Sequence, residues 1–159
     1  MRRFFQIVGV IAIVVVVGIG VGLFYLIRNG SALNTESKAY VDDAIVAIVA
    51  HWDKDELLKR TTQHFRENTK RYDVEQLFDA AAVGLGPLVH YDGATGQALM
   101  VATAGSGKKI SATYVAKASF ERGDASVRIV LLKSDATWEI EGFQIDSLSM
   151  IKNLAGRKS

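Results

Sequence analysis

Hydrophobic positions change their period twice along the chain. From Phe4 to Ile27 they form a solid block, 24 residues without a charge. At about 1.5 Å rise per residue such a helix exceeds a hydrocarbon core of roughly 30 Å, so it can span a membrane. Between Val41 and Trp52 the period becomes helical: Val41, Ile45, Ile48, Val49 and Trp52 share one side, with Asp42, Asp43 and Ala47 on the other. Asp53, followed three residues later by Glu56, reads as a capping box opening a short helix through Leu57 and Leu58. A polar stretch from Thr61 to Lys70 follows, and then Asp73 and Gln76 as a second cap-like pair before Leu77, Phe78, Ala81 and Ala82. Gly84, Gly86 and Pro87 end that helix.

From Leu88 onward the period is two. Leu88 to Tyr91, Gln97 to Ala104 and Lys108 to Glu121 read as strands, separated by turns at Asp92-Gly93 and Gly105-Ser106-Gly107. In the third, Ile110, Ala112, Tyr114, Ala116, Ala118 and Phe120 alternate with polar residues, giving a long strand with one apolar face. Arg122-Gly123-Asp124 turns into Ala125 to Leu132, and the last strand starts Trp138, Ile140 before shifting parity to Phe143 and Ile145, as a bulge at Gly142 would do. Helices followed by antiparallel strands predict an α+β domain with helices packed on a curved sheet. The organisation expected is an anchor over 1–28, a short linker over 29–36, the domain over 37–150 and a polar tail over 151–159.

Composition narrows the setting. Arg2 and Arg3 before the apolar block and Arg28 after it suit its two interfaces, as do Phe4, Phe5, Phe24 and Tyr25 near its ends. A cleaved signal peptide would have an apolar region of only about 7–15 residues. The chain has no cysteine, hence no lipoprotein attachment site, disulfide or thiolate metal site. Lys and Arg near the two ends of the block tie, and the free amino terminus tips the balance. The expectation is an N-terminus in the cytoplasm and a domain across a bacterial inner membrane, in the periplasm. Without residues 1–28 the net charge is −1, which argues against electrostatic nucleic-acid binding.

The run from Ala39 to Ser147 resembles the nuclear transport factor 2-like, or cystatin-like, superfamily. The residues that carry the likeness are His51-Trp52-Asp53, Leu85-Gly86-Pro87-Leu88, Ala118 to Gly123 and Trp138 to Ile145. These are turns, a core tryptophan and a terminal strand, and they specify fold rather than chemistry. The resemblance implies isomerases and cyclases, ligand binders, or membrane-anchored scaffolds such as the inner-membrane assembly subunit of type IV secretion systems.

Candidate chemistry is sparse. Ala102 to Lys109 imitates a phosphate-binding loop, but Ala102 replaces its first glycine, Lys109 its magnesium-binding hydroxyl residue, and a strand follows where a helix is needed. Nucleotide binding is rejected. His51, His64 and His90 share no metal-ligand spacing, so neither a metal nor another cofactor is expected. Tyr114, Asp146, Tyr91 and His64 are the polar side chains that could serve a pocket between helices and sheet. Tyr114 lies on the apolar face, where tyrosine usually caps a core. Gly18 and Gly22 have the spacing that lets membrane helices approach closely, as in homo-oligomers. Asn29-Gly30-Ser31 matches a glycosylation acceptor but abuts the apolar block and reads as linker. The leading expectation is a non-catalytic, membrane-anchored envelope scaffold or accessory subunit that binds other membrane or envelope proteins. A small-ligand sensor or transport accessory comes next, and an isomerase-like or cyclase-like enzyme third.

Overall fold

The structure is a computed structural model that describes residues 31–103 and 107–156. Its elements are helix α1 (residues 31–49), α2 (Lys54–Lys59), α3 (Gln63–Asn68), α4 (Arg71–Gly84), strands β1 (Leu88–Thr103), β2 (Gly107–Phe120), β3 (Gly123–Ser134) and β4 (Thr137–Asp146), and helix α5 (Leu148–Gly156). The strands make one antiparallel sheet in the order β1-β2-β3-β4, and the domain is of the α+β class. The apolar block at 4–27, with Gly18 and Gly22, and the Asn29-Gly30 pair lie outside the described residues. Among the described residues, no helix is long and apolar enough to cross a membrane.

Alternation along β2 produces the core. Ala112, Tyr114, Ala116, Ala118 and Phe120 are buried, joined by Val127, Ile129 and Leu131 of β3 and Trp138 and Ile140 of β4. Alanines at three of the five β2 positions leave room for α1, which buries Val41, Ala44, Ile45, Ile48 and Val49. Each fully buried aliphatic side chain of this size stabilises the fold by about 1.5–3 kcal/mol before entropy is charged. Trp52 fastens the helix end. Its backbone is left-handed (φ 55°), and the next N–H, that of Asp53, donates to the Ile48 carbonyl at 2.8 Å, which closes α1. The Trp52 ring stacks on Phe120 with centroids 5.0 Å apart, meets the Phe78 ring of α4 edge-on at 6.0 Å, and its Nε1–H donates to the Gly86 carbonyl at 2.8 Å.

Several local expectations are corrected. Asp92-Gly93 does not turn the chain: β1 runs on as one 16-residue strand, and the register shifts between Leu88 and His90 and between Tyr91 and Gly93 absorb the extra residues. Gly93 (φ 96°) supplies the left-handed backbone of the second irregularity. The polar stretch after Thr61 contains α3, which Thr62 caps by accepting the Phe65 N–H at 3.0 Å and which buries Phe65. Helix α4 begins at Arg71 with Lys70 as a cap that makes no side-chain bond, so Asp73 sits in its first turn instead of capping it. Residues 31–36, read as linker, are helical, and residues 151–156 of the expected tail belong to α5. The Asp53 cap is found as expected, accepting from Asp55 and Glu56 N–H. So is the bulge in β4: Val130 pairs with Gly142 and Leu131 with Ile140, leaving Glu141 extra.

Candidate functional site

The four polar residues singled out from the sequence stand in separate places, each with its own partner. Tyr114 is buried at 1% exposure; its hydroxyl donates to the Asn34 carbonyl at 3.1 Å and lies 2.9 Å from Ser37 Oγ, so it fixes α1 to the sheet. Tyr91 donates to Asp42 Oδ1 at 2.6 Å. Burial, then the hydrogen bond and charge of Asp42, hold the Tyr91 hydroxyl far above its ordinary pKa, so it stays protonated. For Asp42, burial pushes upward, but the hydrogen bonds from Lys38 and Tyr91, the Lys38 charge and the Ala94 N–H together outweigh it and hold the carboxyl below its ordinary value.

His64 is exposed on α3 with Nδ1 2.5 Å from Glu141 Oε1, while Thr62 donates to the other Glu141 oxygen at 2.5 Å. These three residues pin α3 to the bulge of β4. Asp146 ends β4, accepts from Gln144 Nε2 at 2.9 Å, and lines an open groove of about 390 Å³ with Asp92, Lys117, Asp124 and Ser149. Tyr114 and Tyr91 therefore serve α1, His64 serves α3, and Asp146 stands at an open strand end. No acid and base among these four face each other across a shared cavity. Among the described residues, no three of His, Asp and Glu are placed to hold a metal ion.

What the geometry does organise is access to the sheet. Along β1, the outward-pointing N–H of Ala98 donates to Asn34 Oδ1 at 2.7 Å, and the Ala94 N–H lies near enough to Asp42 to help hold its carboxyl low. Asn34, Lys38 and Asp42 recur every four residues and form one polar ridge of α1, with Lys38 Nζ bonded to Asp42 at 2.7 Å. Between those two points Gly96 is pressed so close to β2 that a Cβ there would lie 2.0 Å from the Thr113 carbonyl oxygen. The far edge is occupied by the chain itself: the Thr62 N–H donates to the Ile140 carbonyl at 2.9 Å and the Ile140 N–H to the Arg60 carbonyl at 2.8 Å. Both edges thus have backbone groups already engaged, the usual protection against strand addition.

The face of the sheet opposite the core carries Thr113, Val115 and Lys117 of β2, Arg128, Val130 and Leu132 of β3, and Gln144 of β4, paired across the strands in that register. Val115, Val130 and Leu132 are half-buried there, Val115 opposite Arg128, Val130 opposite Thr113, and Leu132 between Ser111 and Glu139, so charged groups of both signs border the apolar positions. Asn34 lies off the apolar side of α1, and its four-residue spacing with Lys38 and Asp42 is the sequence signal that points to this ridge. In comparison with known proteins, the chain matches no family model, no curated protein and no solved structure.

Proposed function

We propose that the protein is a non-catalytic scaffold or accessory subunit held in a bacterial inner membrane by its N-terminal helix, with the domain on the periplasmic side. In this reading the domain is of the nuclear transport factor 2-like type and binds a partner protein through the open face of its sheet. The uncharged block from Phe4 to Ile27 supports the anchor. Helices α1 and α4 meeting a four-stranded antiparallel sheet through Trp52, Phe78 and Phe120 support the domain type.

One observation carries the binding mode: helices cover one face, the chain's own groups engage both edges, and the remaining face presents Val115, Val130 and Leu132 among Lys117, Arg128 and Glu139. Apolar positions with a polar border are the usual composition of a protein-binding patch. Ligand sensing rests on the groove beside Asp146, which is shallow and open, and isomerase chemistry would need Tyr114 or Asp146 to face a second ionisable group.

The test is photo-crosslinking in native membranes. A photoreactive residue at position 130 of the full-length protein should capture a defined partner. The same residue at position 83, exposed on α4, should not, and Val130→Glu should abolish copurification of that partner. Equal capture from both positions, or turnover of a substrate by the purified protein, would remove the reading.

A further inference from the structure

The β1–β2 ladder is longer than the rest of the sheet. Its last three pairs, Val101 with Lys109, Ala102 with Lys108 and Thr103 with Gly107, have no counterpart on β3, whose pairing with β2 starts at Ile110. A two-stranded arm therefore extends past the sheet, with no β3 partner along it. At its base Leu99 is 55% and Met100 48% exposed, and Lys109 is exposed beside them. Between Gly93 and Phe120 the chain has no Asp or Glu, and its only charges are Lys108, Lys109 and Lys117. Leu99 and Met100, on opposite faces of β1, are thus large apolar side chains left in water beside a stretch of β1 and β2 whose own charges are all basic.

The position of the arm supplies its occupant. Lys133, which pairs with Ile110 at the base of the arm, bonds Glu36 of α1 at 2.6 Å. Only eight residues of chain separate Ile27, the last of the apolar block, from Glu36. Even fully extended, the nine Cα–Cα steps between those two residues reach about 30 Å. A bilayer that holds the apolar block is therefore within reach of the arm. The opposite end of the sheet is different: there α5 packs on β3 and α4, Ser147 Oγ donates to the Asp124 carbonyl at 2.7 Å, and Leu148 is 77% exposed. At roughly 3.3 Å per residue, β2 keeps the two ends about 40 Å apart.

We infer that the base of the β1–β2 arm docks on an anionic bilayer surface, with Leu99 and Met100 entering the headgroup region and Lys109 pairing with lipid phosphate. The inference rests on the anchored reading of residues 1–28. Docking would fix the tilt of the domain on its membrane and so the direction in which the open sheet face looks. A cationic residue near an anionic surface contributes about 1 kcal/mol, so removing one should reduce the docked population up to about fivefold.

The absence of cysteine lets single labels be placed without ambiguity. Full-length Met100→Cys and Leu148→Cys proteins, each carrying an environment-sensitive fluorophore, are reconstituted in vesicles of phosphatidylglycerol and phosphatidylcholine containing a nitroxide lipid. The expected result is a blue shift and strong quenching at position 100, neither at position 148, and up to about fivefold less quenching when Lys109→Ala is added. Equal responses at the two positions in protein that survives an alkaline wash of the vesicles would overturn the docking and leave the anchor standing. Protein washed off the vesicles would overturn the anchor and this inference with it. Unchanged quenching in phosphatidylcholine alone would overturn the anionic part.

Discussion

The two faces of this sheet are built by the same residues in alternation, yet they follow different rules. Toward the helices, β2 and β3 present Ala112, Tyr114, Ala116, Ala118, Val127, Ile129 and Leu131, all buried. On the other side the same strands present Thr113, Val115, Lys117, Arg128 and Val130, half-buried or exposed. Side-chain volume on the first face is set by what must fit beneath α1; on the second it is free of that constraint. Apolar residues on the open side consequently contribute less to the fold than their neighbours beneath α1.

The largest expected effect sharpens that contrast. Ile129→Ala removes a fully buried side chain and should cost about 2–5 kcal/mol in denaturant unfolding, whereas its neighbour Val130→Ala should cost under about 1 kcal/mol. A Val130→Ala cost as large as that of Ile129→Ala would show that the open face is covered in the folded protein. Next in size is Gly96→Ala. Its new methyl would sit 2.0 Å from the Thr113 carbonyl oxygen and 2.7 Å from Tyr114 Cα, so β1 must move off β2; we expect a loss of about 1–3 kcal/mol. An unchanged unfolding midpoint would mean that the β1–β2 contact yields more easily than the structure implies.

Smaller, but informative about the edge, is Asn34→Ala. It leaves the Ala98 N–H without its 2.7 Å acceptor and should cost about 1 kcal/mol. Faster hydrogen exchange at Ala98 and increased self-association of the purified protein should accompany it, because an opened edge is a template for another strand. If exchange at Ala98 is unaltered, Asn34 does not guard the edge.

How much of this could be read from the sequence depended on what each segment packs against. β2 was legible residue by residue because one of its faces is wholly covered, so the alternation from Ile110 to Phe120 is forced by burial. β1 was not: Asp92-Gly93 has the composition of a turn, but Tyr91 is held by Asp42 of α1 and Gly93 takes up the irregularity, so the strand continues. Helix α3 shows the core only Phe65, too little for a period to emerge. Helix α5 is fastened by Asn153 Nδ2, which donates to the Gly84 carbonyl at 2.8 Å and the Arg122 carbonyl at 3.0 Å, a polar attachment that no hydrophobic pattern announces. The candidate polar residues were visible individually, but the partners of three of them lie 49 to 80 positions away: Asp42 for Tyr91, Glu141 for His64 and Asn34 for Tyr114. The protection of the β1 edge comes from the polar side of α1, and that of the β4 edge from Arg60 and Thr62 between α2 and α3.

The smallest effect expected is one of pH, and it probes the same seam between α1 and β1. Asp42 has its folded pKa below the ordinary value because hydrogen bonds from Lys38 and Tyr91 outweigh the opposing effect of burial. The folded state therefore binds this proton less readily than the unfolded chain, and the resulting stability is present above the usual carboxylate value of about 3.9 and lost as pH falls through the folded value. Tyr91 runs the other way. Its folded pKa is raised by burial and by Asp42, so its contribution is present below the ordinary tyrosine value of about 10 and lost as pH climbs beyond it. Asp42→Asn should flatten the acid flank of the stability profile and Tyr91→Phe the alkaline flank. The difference between wild type and Asp42→Asn should be greatest near neutrality and shrink toward pH 3. A difference that stays constant from pH 7 to pH 3 would mean that Asp42 is not charged in its bond with Tyr91, and that α1 is held to β1 by packing and neutral hydrogen bonds alone.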